Sequence, residues 1–165
     1  MDSNPIVGII RRAVPDDIDA IAEIERQSFS EPWSEQTLLS YLEQGCDIFV
    51  VTLDGTVCGF SVLDRSLITE AELYNIAVAP EHRGKGLSRL LMDAMIDVAR
   101  KNSITRIMLE VRASNQTAIA LYTAYGFEKV GIRAGYYRHP TENAILMDLM
   151  LNQKQAELGE KKETE

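Results

Sequence analysis

Two side chains that can move protons lie near each other in the chain, the carboxyl group of Glu110 and the phenol of Tyr122. Apolar Ile107, Leu109 and Val111 alternate with polar neighbours, which predicts a strand with one buried face. Glu110 then points to the opposite face, where a carboxylate can act as a general base. Tyr122 follows on a predicted helix, where a phenol can act as an acid. The pattern indicates a reaction in which one reactant loses a proton while another gains one.

Each of these residues also has a structural interpretation. Glu110 can pair with Arg112 or lie on a solvated face, and its spacing alone favours that interpretation over catalysis. Tyr122 can pack on the core with its hydroxyl at the surface, the more common position of a helical tyrosine. Asn115 can cap the helix that follows it. The residue pattern alone therefore leaves a structural and a catalytic interpretation open.

A glycine-rich turn, Arg83-Gly-Lys-Gly-Leu-Ser88, precedes a predicted amphipathic helix. The apolar residues that define this helix recur at helical spacing and are Leu87, Leu90, Leu91, Ala94, Met95 and Val98. The backbone N–H groups at its start and the helix dipole favour a pyrophosphate, and Gly84 and Gly86 lack the Cβ atoms that would keep it away. The glycines could also serve only to shape the loop, and the side chains of Lys85 and Arg89 could then be only solvated.

These two segments together resemble the GNAT superfamily of acetyl-CoA-dependent N-acetyltransferases. The first family motif is Arg/Gln-x-x-Gly-x-Gly/Ala, and its defined places hold Arg83, Gly86 and Ser88, with serine as a departure from glycine or alanine. The second is Asn-x-x-Ala-x-x-Leu-Tyr-x-x-x-Gly-Phe, and its places hold Asn115, Ala118, Leu121, Tyr122, Gly126 and Phe127. Both motifs occur in the expected order, and the resemblance covers residues 6–151.

The resemblance implies acetyl-CoA as cosubstrate. The residues themselves show no activated nucleophile, so we expect direct attack by an amine without an acyl-enzyme, and we expect no metal. The resemblance gives Glu110 as the base, directly or through water, and Tyr122 as the acid toward the thiolate sulfur. Backbone groups of Ile76 and Val78 hold the pantetheine arm, and the Val78 N–H meets the thioester carbonyl. The full set that it implies for cofactor binding is Ile76, Ala77, Val78, Arg83, Gly84, Lys85, Gly86, Leu87, Ser88, Arg89 and Asn115.

Further segments are similar to a bacterial branch of this family that acetylates the N-terminal alanine of a small-subunit ribosomal protein. They are Pro32-Trp-Ser34, Tyr74-Asn-Ile-Ala-Val78, Leu109-Glu-Val-Arg-Ala-Ser-Asn115 and Tyr136-Tyr137. This similarity implies that a protein N-terminus enters between Glu110 and a Tyr136-Tyr137 loop, with the region around Trp33 as a wall. Trp33 can equally be ordinary core packing.

Other functions fit the same resemblance. The acceptor could be a lysine side chain or a small amine instead of a protein N-terminus. The chain could also be a non-catalytic acyl-CoA sensor that uses its cleft for regulation. A sensor has no need of a paired base and acid, so the presence of Glu110 and Tyr122 argues against it.

The chain has 165 residues and a formal net charge of −8. This length suits one domain, which we predict over residues 1–151, followed by a polar and disordered tail over residues 152–165. The negative charge argues against direct binding to nucleic acid and suits a basic protein or amine. No apolar run approaches the roughly 20 residues of a membrane span, and the N-terminal residues lack the pattern of a signal peptide. We therefore expect a cytoplasmic protein without a membrane partner.

Helices alternate with strands along the chain, which predicts an α/β or α+β fold with a mixed, mostly antiparallel central sheet flanked by helices. The family resemblance adds that the central strands splay apart. Predicted helices cover residues 15–27, 34–43, 86–101 and 115–125, with Ile18, Ile21 and Ile24 of the first turned inward. Predicted strands cover residues 6–12, 47–53, 56–63, 70–79, 104–111, 127–132 and 144–151.

Cys46 and Cys58 flank a predicted hairpin turn at Asp54-Gly55. A simple two-residue turn would place Cys58 opposite Val51 and Cys46 opposite Leu63. The two sulfurs would then be too far apart for a disulfide. Neither cysteine has a histidine nearby in the sequence, so we expect no cysteine nucleophile and no zinc site.

Overall fold

The structure is a computed structural model that describes residues 7–151. Its strands are β1 (Ile9–Arg12), β2 (Asp47–Leu53), β3 (Thr56–Leu67), β4 (Glu70–Val78), β5 (Arg106–Arg112), β6 (Glu128–Tyr137) and β7 (Glu142–Met150). Its α-helices are α1 (Ile18–Ser28), α2 (Glu35–Glu43), α3 (Leu87–Lys101) and α4 (Gln116–Ala124). The predicted α/β class is confirmed. The predicted tail, 152–165, lies outside the described residues.

The chain divides into two compact units, Met1–Leu63 with Asn75–Ile96, and Asp64–Tyr74 with Asp97–Glu165. The first unit contains the antiparallel strands β1, β2 and β3, in that order. The turn between β2 and β3 has positive φ at Asp54 (51°) and Gly55 (79°), as a two-residue hairpin turn requires. The predicted hairpin is therefore correct.

The predicted register of this hairpin is wrong by one residue beyond its turn. Thr52 pairs with Val57, but Val51 pairs with Gly59, because a β-bulge places Cys58 between the two pairs. Cys58 therefore does not face Val51, and Leu63 faces Asp47 instead of Cys46. Both cysteines are free, as predicted.

The core of the first unit forms where the hairpin meets the end of β4 and the start of α3. A cluster of buried residues there consists of Val51, Leu53, Cys58, Val78, Leu87 and Leu91. On α1, the predicted inward residues Ile18, Ile21 and Ile24 are all buried. A separate 3₁₀ turn at Pro15–Asp17 precedes this helix, so the predicted single helix over 15–27 is divided at its start.

In the second unit the strand order is the first part of β4, then β5, β7 and β6. The first part of β4 runs parallel to β5, and the other neighbours are antiparallel. The parallel ladder ends at Leu73 and Leu109, before β5 itself ends at Arg112. Glu110 thus lies on β5 directly after the last paired residue of that ladder.

Two strands extend at least four residues beyond their predicted ends. β6 runs to Tyr137 instead of ending at residue 132, so Tyr136 and Tyr137 belong to a strand and not to a loop. β3 continues to Leu67 instead of ending at residue 63. The residues added to β6 are 133–137, which are largely exposed and include Gly135. Their sequence therefore lacks the alternation of apolar and polar residues that predicts a strand. The strand is formed by its pairing with β7, which is not visible in the local sequence.

Candidate active site

The glycine-rich turn lies in the first unit and has the backbone conformation that glycine favours. Gly84 has a φ of 80° and Gly86 a φ of 77°, both in the left-handed region. A Cβ atom at either position would meet no other atom within 4 Å, so the space beside the turn is open. Helix α3 begins at Leu87, one residue later than predicted, and the turn therefore leads directly into its N-terminus.

Arg83 connects this turn to the end of β4. Its Nε donates to the carbonyl oxygen of Val78 at 3.0 Å, and its Nη2 donates to the Oγ of Ser28 at 3.4 Å. Ala77, Val78 and Leu87 are buried. These three predicted cofactor residues can therefore reach a ligand mainly through their backbone groups.

Strand β4 is closely approached by β3 at this point. A Cβ atom on Gly59 would lie 2.9 Å from the carbonyl oxygen of Ala77 and 3.2 Å from a methyl group of Val78. Only glycine allows this spacing without movement of the backbone. The sequence pattern showed Gly59 inside a strand but gave no sign of which backbone it approaches.

In the second unit, Glu110 is the centre of a set of charged and aromatic groups. Its Oε1 accepts from the Nη2 of Arg133 at 2.9 Å. The guanidinium of Arg133 lies 4.9 Å from the centre of the Tyr136 ring, and Tyr136 is hydrogen bonded to Glu110. The expected structural partner, Arg112, instead pairs with Glu142 at 2.8 Å. A salt bridge of Glu110 is therefore present, with a partner that the sequence did not indicate.

The surroundings of Glu110 carry excess negative charge. Burial and the nearby Glu110 raise the pKa of Glu72 on β4. The charge of Glu110, followed by burial, raises the pKa of Tyr136. Burial, with Glu110 as a smaller cause, raises the pKa of Tyr137 to about 12. A positively charged amine would relieve this repulsion between like charges.

Tyr122 is buried, with only 7% of its surface exposed. Its ring packs against Phe127 at 5.7 Å between ring centres. Burial, with a smaller contribution from Tyr137, raises the pKa of its hydroxyl far above the usual value. The phenol therefore keeps its proton and can act as a hydrogen-bond donor. Its ring packing agrees with the structural interpretation, but the burial of the residue does not agree with the hydroxyl at the surface that this interpretation expected.

Asn115 caps α4, as its structural interpretation predicted. Its Oδ1 accepts the backbone N–H of Ala118 at 3.1 Å. The helix ends at Ala124, and Gly126 two residues later has a φ of 96°, typical of a left-handed stop residue. The amide nitrogen of Asn115 is not used in the cap, so capping and ligand binding are compatible.

Arg112 stabilises the connection between β6 and β7. It donates to the carbonyl oxygens of Pro140 at 2.8 Å and Arg138 at 3.0 Å, and its guanidinium lies 4.7 Å from the centre of the Tyr137 ring. Glu142 accepts from Arg112 and also from the backbone N–H of Ser114. These contacts of Arg112 and Glu142 stabilise the end of β6, which contains Tyr136 and Tyr137.

Comparison with known protein families shows to which family this chain belongs. Residues 18–127 match the model of the acetyltransferase (GNAT) family. The chain belongs to this family. The matched region contains the glycine-rich turn, Glu110, Asn115 and Tyr122, and it ends before Arg133 and the tyrosine pair. The acetyltransferase contains no helix, within residues 7–151, that is long and apolar enough to cross a membrane.

Individual relatives narrow the comparison. The acetyltransferase is 39% identical to ribosomal protein bS18-alanine N-acetyltransferase (RimI) of Escherichia coli K12 over 140 residues, which are 82% of this chain and 93% of that protein. A crystal structure of the ribosomal-protein-S18-alanine N-acetyltransferase from Escherichia coli is similar with a TM-score of 0.83 and 36% identity, covering 88% of this chain and 95% of that one.

A more distant structure shares the fold. It is a phosphinothricin acetyltransferase of Sinorhizobium meliloti in complex with acetyl-CoA, with a TM-score of 0.78 and 22% identity, covering 88% of this chain and 89% of that one. That member of the fold is therefore bound to acetyl-CoA. Among the described residues, no three His, Cys, Asp or Glu side chains are grouped so that they could hold a metal ion.

Proposed function

We propose that this acetyltransferase transfers the acetyl group of acetyl-CoA to the α-amine of the N-terminal alanine of ribosomal protein bS18. The observation that carries the proposal is the 39% identity to the Escherichia coli enzyme of that name, over 93% of its length. The reaction takes place in the cytoplasm, where ribosomal proteins are made. The proposal needs no metal and no nucleic-acid partner.

The cofactor is bound by the turn and by the strand before it. The pyrophosphate lies on the backbone N–H groups of residues 83–89, where positive φ at Gly84 and Gly86 directs them and no Cβ blocks approach. Lys85 and Arg89 add positive charge there. Backbone groups of residues 76–78 hold the pantetheine arm, and the N–H of Val78 polarises the thioester carbonyl. The hydrogen bond from Arg83 to the Val78 carbonyl oxygen holds the peptide unit that follows Val78.

Glu110 accepts the proton of the attacking amine, directly or through a water molecule. An α-amine has a reference pKa near about 8, so much of it arrives as an ammonium group at neutral pH. The negative surroundings of Glu110 and Glu72 attract that ammonium. The amine takes the position beside the carboxylate that the Arg133 guanidinium occupies in this structure.

Tyr122 supports the departing thiolate. A thiol of ordinary pKa, about 8.5, is a stronger acid than this buried phenol, so complete proton transfer from Tyr122 is uphill. A hydrogen bond from the phenol to the sulfur is therefore its main contribution, and the proton released by the amine balances the reaction. The amine nitrogen forms a bond to the carbonyl carbon while the carbon–sulfur bond breaks, and no acyl-enzyme forms.

An acceptor panel tests this function. The chain is incubated with acetyl-CoA and four acceptors: a peptide with the bS18 N-terminus, the same peptide with a blocked α-amine, a lysine peptide with a blocked N-terminus, and a small amine. Release of free CoA is measured for each. We expect turnover with the first peptide alone. Turnover only with the lysine peptide or the small amine would contradict the proposal, and acetyl-CoA binding without turnover would identify a sensor.

A further inference from the structure

A buried carboxylate outside the proposed chemistry lies on α1. Glu25 has no exposed surface, and burial raises its pKa. Its Oε2 accepts the backbone N–H of Trp33 at 3.1 Å, and its Oε1 accepts from the side-chain amide of Asn75. Burying a carboxyl group among neutral donors is costly, and an apolar side chain would fill the same space at lower cost. The residue therefore needs an explanation beyond packing.

The two donors belong to segments with different tasks in the proposed reaction. Trp33 lies in the segment before α2 that the resemblance assigns to the acceptor wall, and its ring meets Tyr41 edge-on at 5.0 Å. Asn75 lies on β4 directly before Ile76, whose backbone is assigned to the pantetheine arm. Glu25 is thus bonded both to the wall and to the strand that holds the cofactor.

We propose that Glu25 is a positioning residue that fixes the backbone of Trp33, and with it the acceptor wall, to strand β4. This inference rests on the proposed function. Acyl transfer requires the amine to lie within reach of the thioester carbon, and a small displacement of the wall misplaces the amine. Glu25 touches neither reactant. Its effect falls on acceptor binding and not on binding of acetyl-CoA.

The variant Glu25→Leu tests this inference. Its apolar side chain accepts no hydrogen bond, so the Trp33 N–H and the Asn75 amide both lose their acceptor. We expect the KM of the acceptor peptide to rise about tenfold, as for loss of a buried hydrogen bond to a charged group. We expect the Kd of acetyl-CoA to be unchanged, and hydrogen exchange of the Trp33 backbone amide to become about tenfold faster.

Asp17→Leu is the matched control. Asp17 is also a buried carboxylate that accepts a backbone N–H, from Val14 at 2.8 Å, but its hydrogen bonds join it to Arg11 and Val14, which lie outside the proposed wall. We expect this variant to lower Tm without a change in acceptor KM or in Trp33 exchange. A rise in acceptor KM of equal size in both variants would mean that Glu25 acts only through general stability, and would overturn the inference.

A reciprocal exchange separates geometry from charge. In Glu25→Gln combined with Asn75→Asp, the new amide can donate to the new carboxylate while its carbonyl oxygen still accepts from Trp33. We expect acceptor KM and Trp33 exchange to lie within about twofold of the original chain, and a double variant as impaired as Glu25→Leu would contradict us. If Glu25→Leu does not fold, Asn75→Ser replaces it, because it removes only one of the two hydrogen bonds.

The exchange measurement does not depend on the acceptor. Failure of the original chain to acetylate the peptide would contradict the proposed function. Unchanged Trp33 exchange in folded Glu25→Leu would contradict the positioning role of Glu25 alone.

Discussion

At the scale of single residues, the chemistry depends on how each side chain is surrounded. Glu110 lies beside a cation and among other acidic groups, whereas Tyr122 is buried against an aromatic ring. A carboxylate that can exchange the Arg133 guanidinium for another cation is suited to bind an ammonium group. A buried phenol suits a donor that keeps its proton. The two residues should therefore fail in different ways when they are replaced.

Replacement of Glu110 should remove the base and leave the cofactor site intact. We expect Glu110→Gln to bind acetyl-CoA normally and to lose about 10²–10⁴-fold in turnover, the usual contribution of general acid–base catalysis. Higher pH should restore part of the rate, because more of the α-amine is already neutral. Rates measured across pH with the bS18 peptide would check this.

Tyr122→Phe is the companion variant, and its loss should not be repaired at high pH because it affects the departing sulfur. If both variants retain the original rate, the roles of Glu110 and Tyr122 are structural.

Arg133 should compete with the acceptor for Glu110. We expect Arg133→Gln to lower the KM of the acceptor peptide a few-fold, with a larger effect at low salt, since this arginine is half exposed and its ion pair is screened. Arg26→Gln is the control, because it changes the net charge equally at an exposed pair with Glu23. Steady-state kinetics at two salt concentrations would measure the acceptor KM of both variants and test this prediction. A higher acceptor KM in Arg133→Gln would mean that this arginine binds the acceptor.

At the scale of elements, the cofactor site depends on backbone shape. The turn before α3 requires left-handed glycines, and β4 requires a close neighbour without a side chain. The sequence could predict the turn, because glycine spacing before an amphipathic helix is local information. It could not predict the contact of Gly59 with β4 or the length of β6, because both depend on strands distant in sequence.

The turn can be tested by adding a side chain. We expect Gly86→Val to raise the KM of acetyl-CoA at least about tenfold, because a branched Cβ would occupy the open space beside the backbone N–H groups. Gly55→Val is a matched control: Gly55 has nearly the same φ, 79° against 77°, and equally open surroundings, but lies in the hairpin turn. Both variants should lose similar stability in thermal unfolding. Equal acetyl-CoA affinity in the two folded variants would remove the phosphate assignment.

The close approach of β3 to β4 can be tested by a substitution at Gly59. We expect Gly59→Ala to lower the free energy of unfolding by about 1–3 kcal/mol, the cost of overpacking, and to weaken acetyl-CoA binding because the Ala77 carbonyl must move. At Gly131 an added Cβ would meet only the flexible side chain of Leu146 at 3.3 Å. Gly131→Ala should therefore have a smaller effect on unfolding and none on acetyl-CoA binding. Similar calorimetric results for the two variants would contradict this view of β4.

At the scale of the whole molecule, the family and fold were predictable, while the electrostatics around Glu110 were not. Two motifs with defined places identified the family, and alternating helices and strands indicated the fold class. Arg133 and Glu72 belong to no motif, and they reach Glu110 only because β6, β5 and the first part of β4 belong to one unit. A net charge of −8 for the whole chain fits an acceptor that is basic and positively charged at its N-terminus.

The most direct test of the proposed function is the position of the acetyl group on the acceptor. Purified, unacetylated bS18 is incubated with acetyl-CoA with and without the chain, and its N-terminal peptide is sequenced by tandem mass spectrometry. We expect one acetyl group on the α-amine of the N-terminal alanine, formed only when the chain is present. Acetylation confined to lysine side chains, or unmodified bS18 after incubation with a chain that binds acetyl-CoA, would contradict the proposed function.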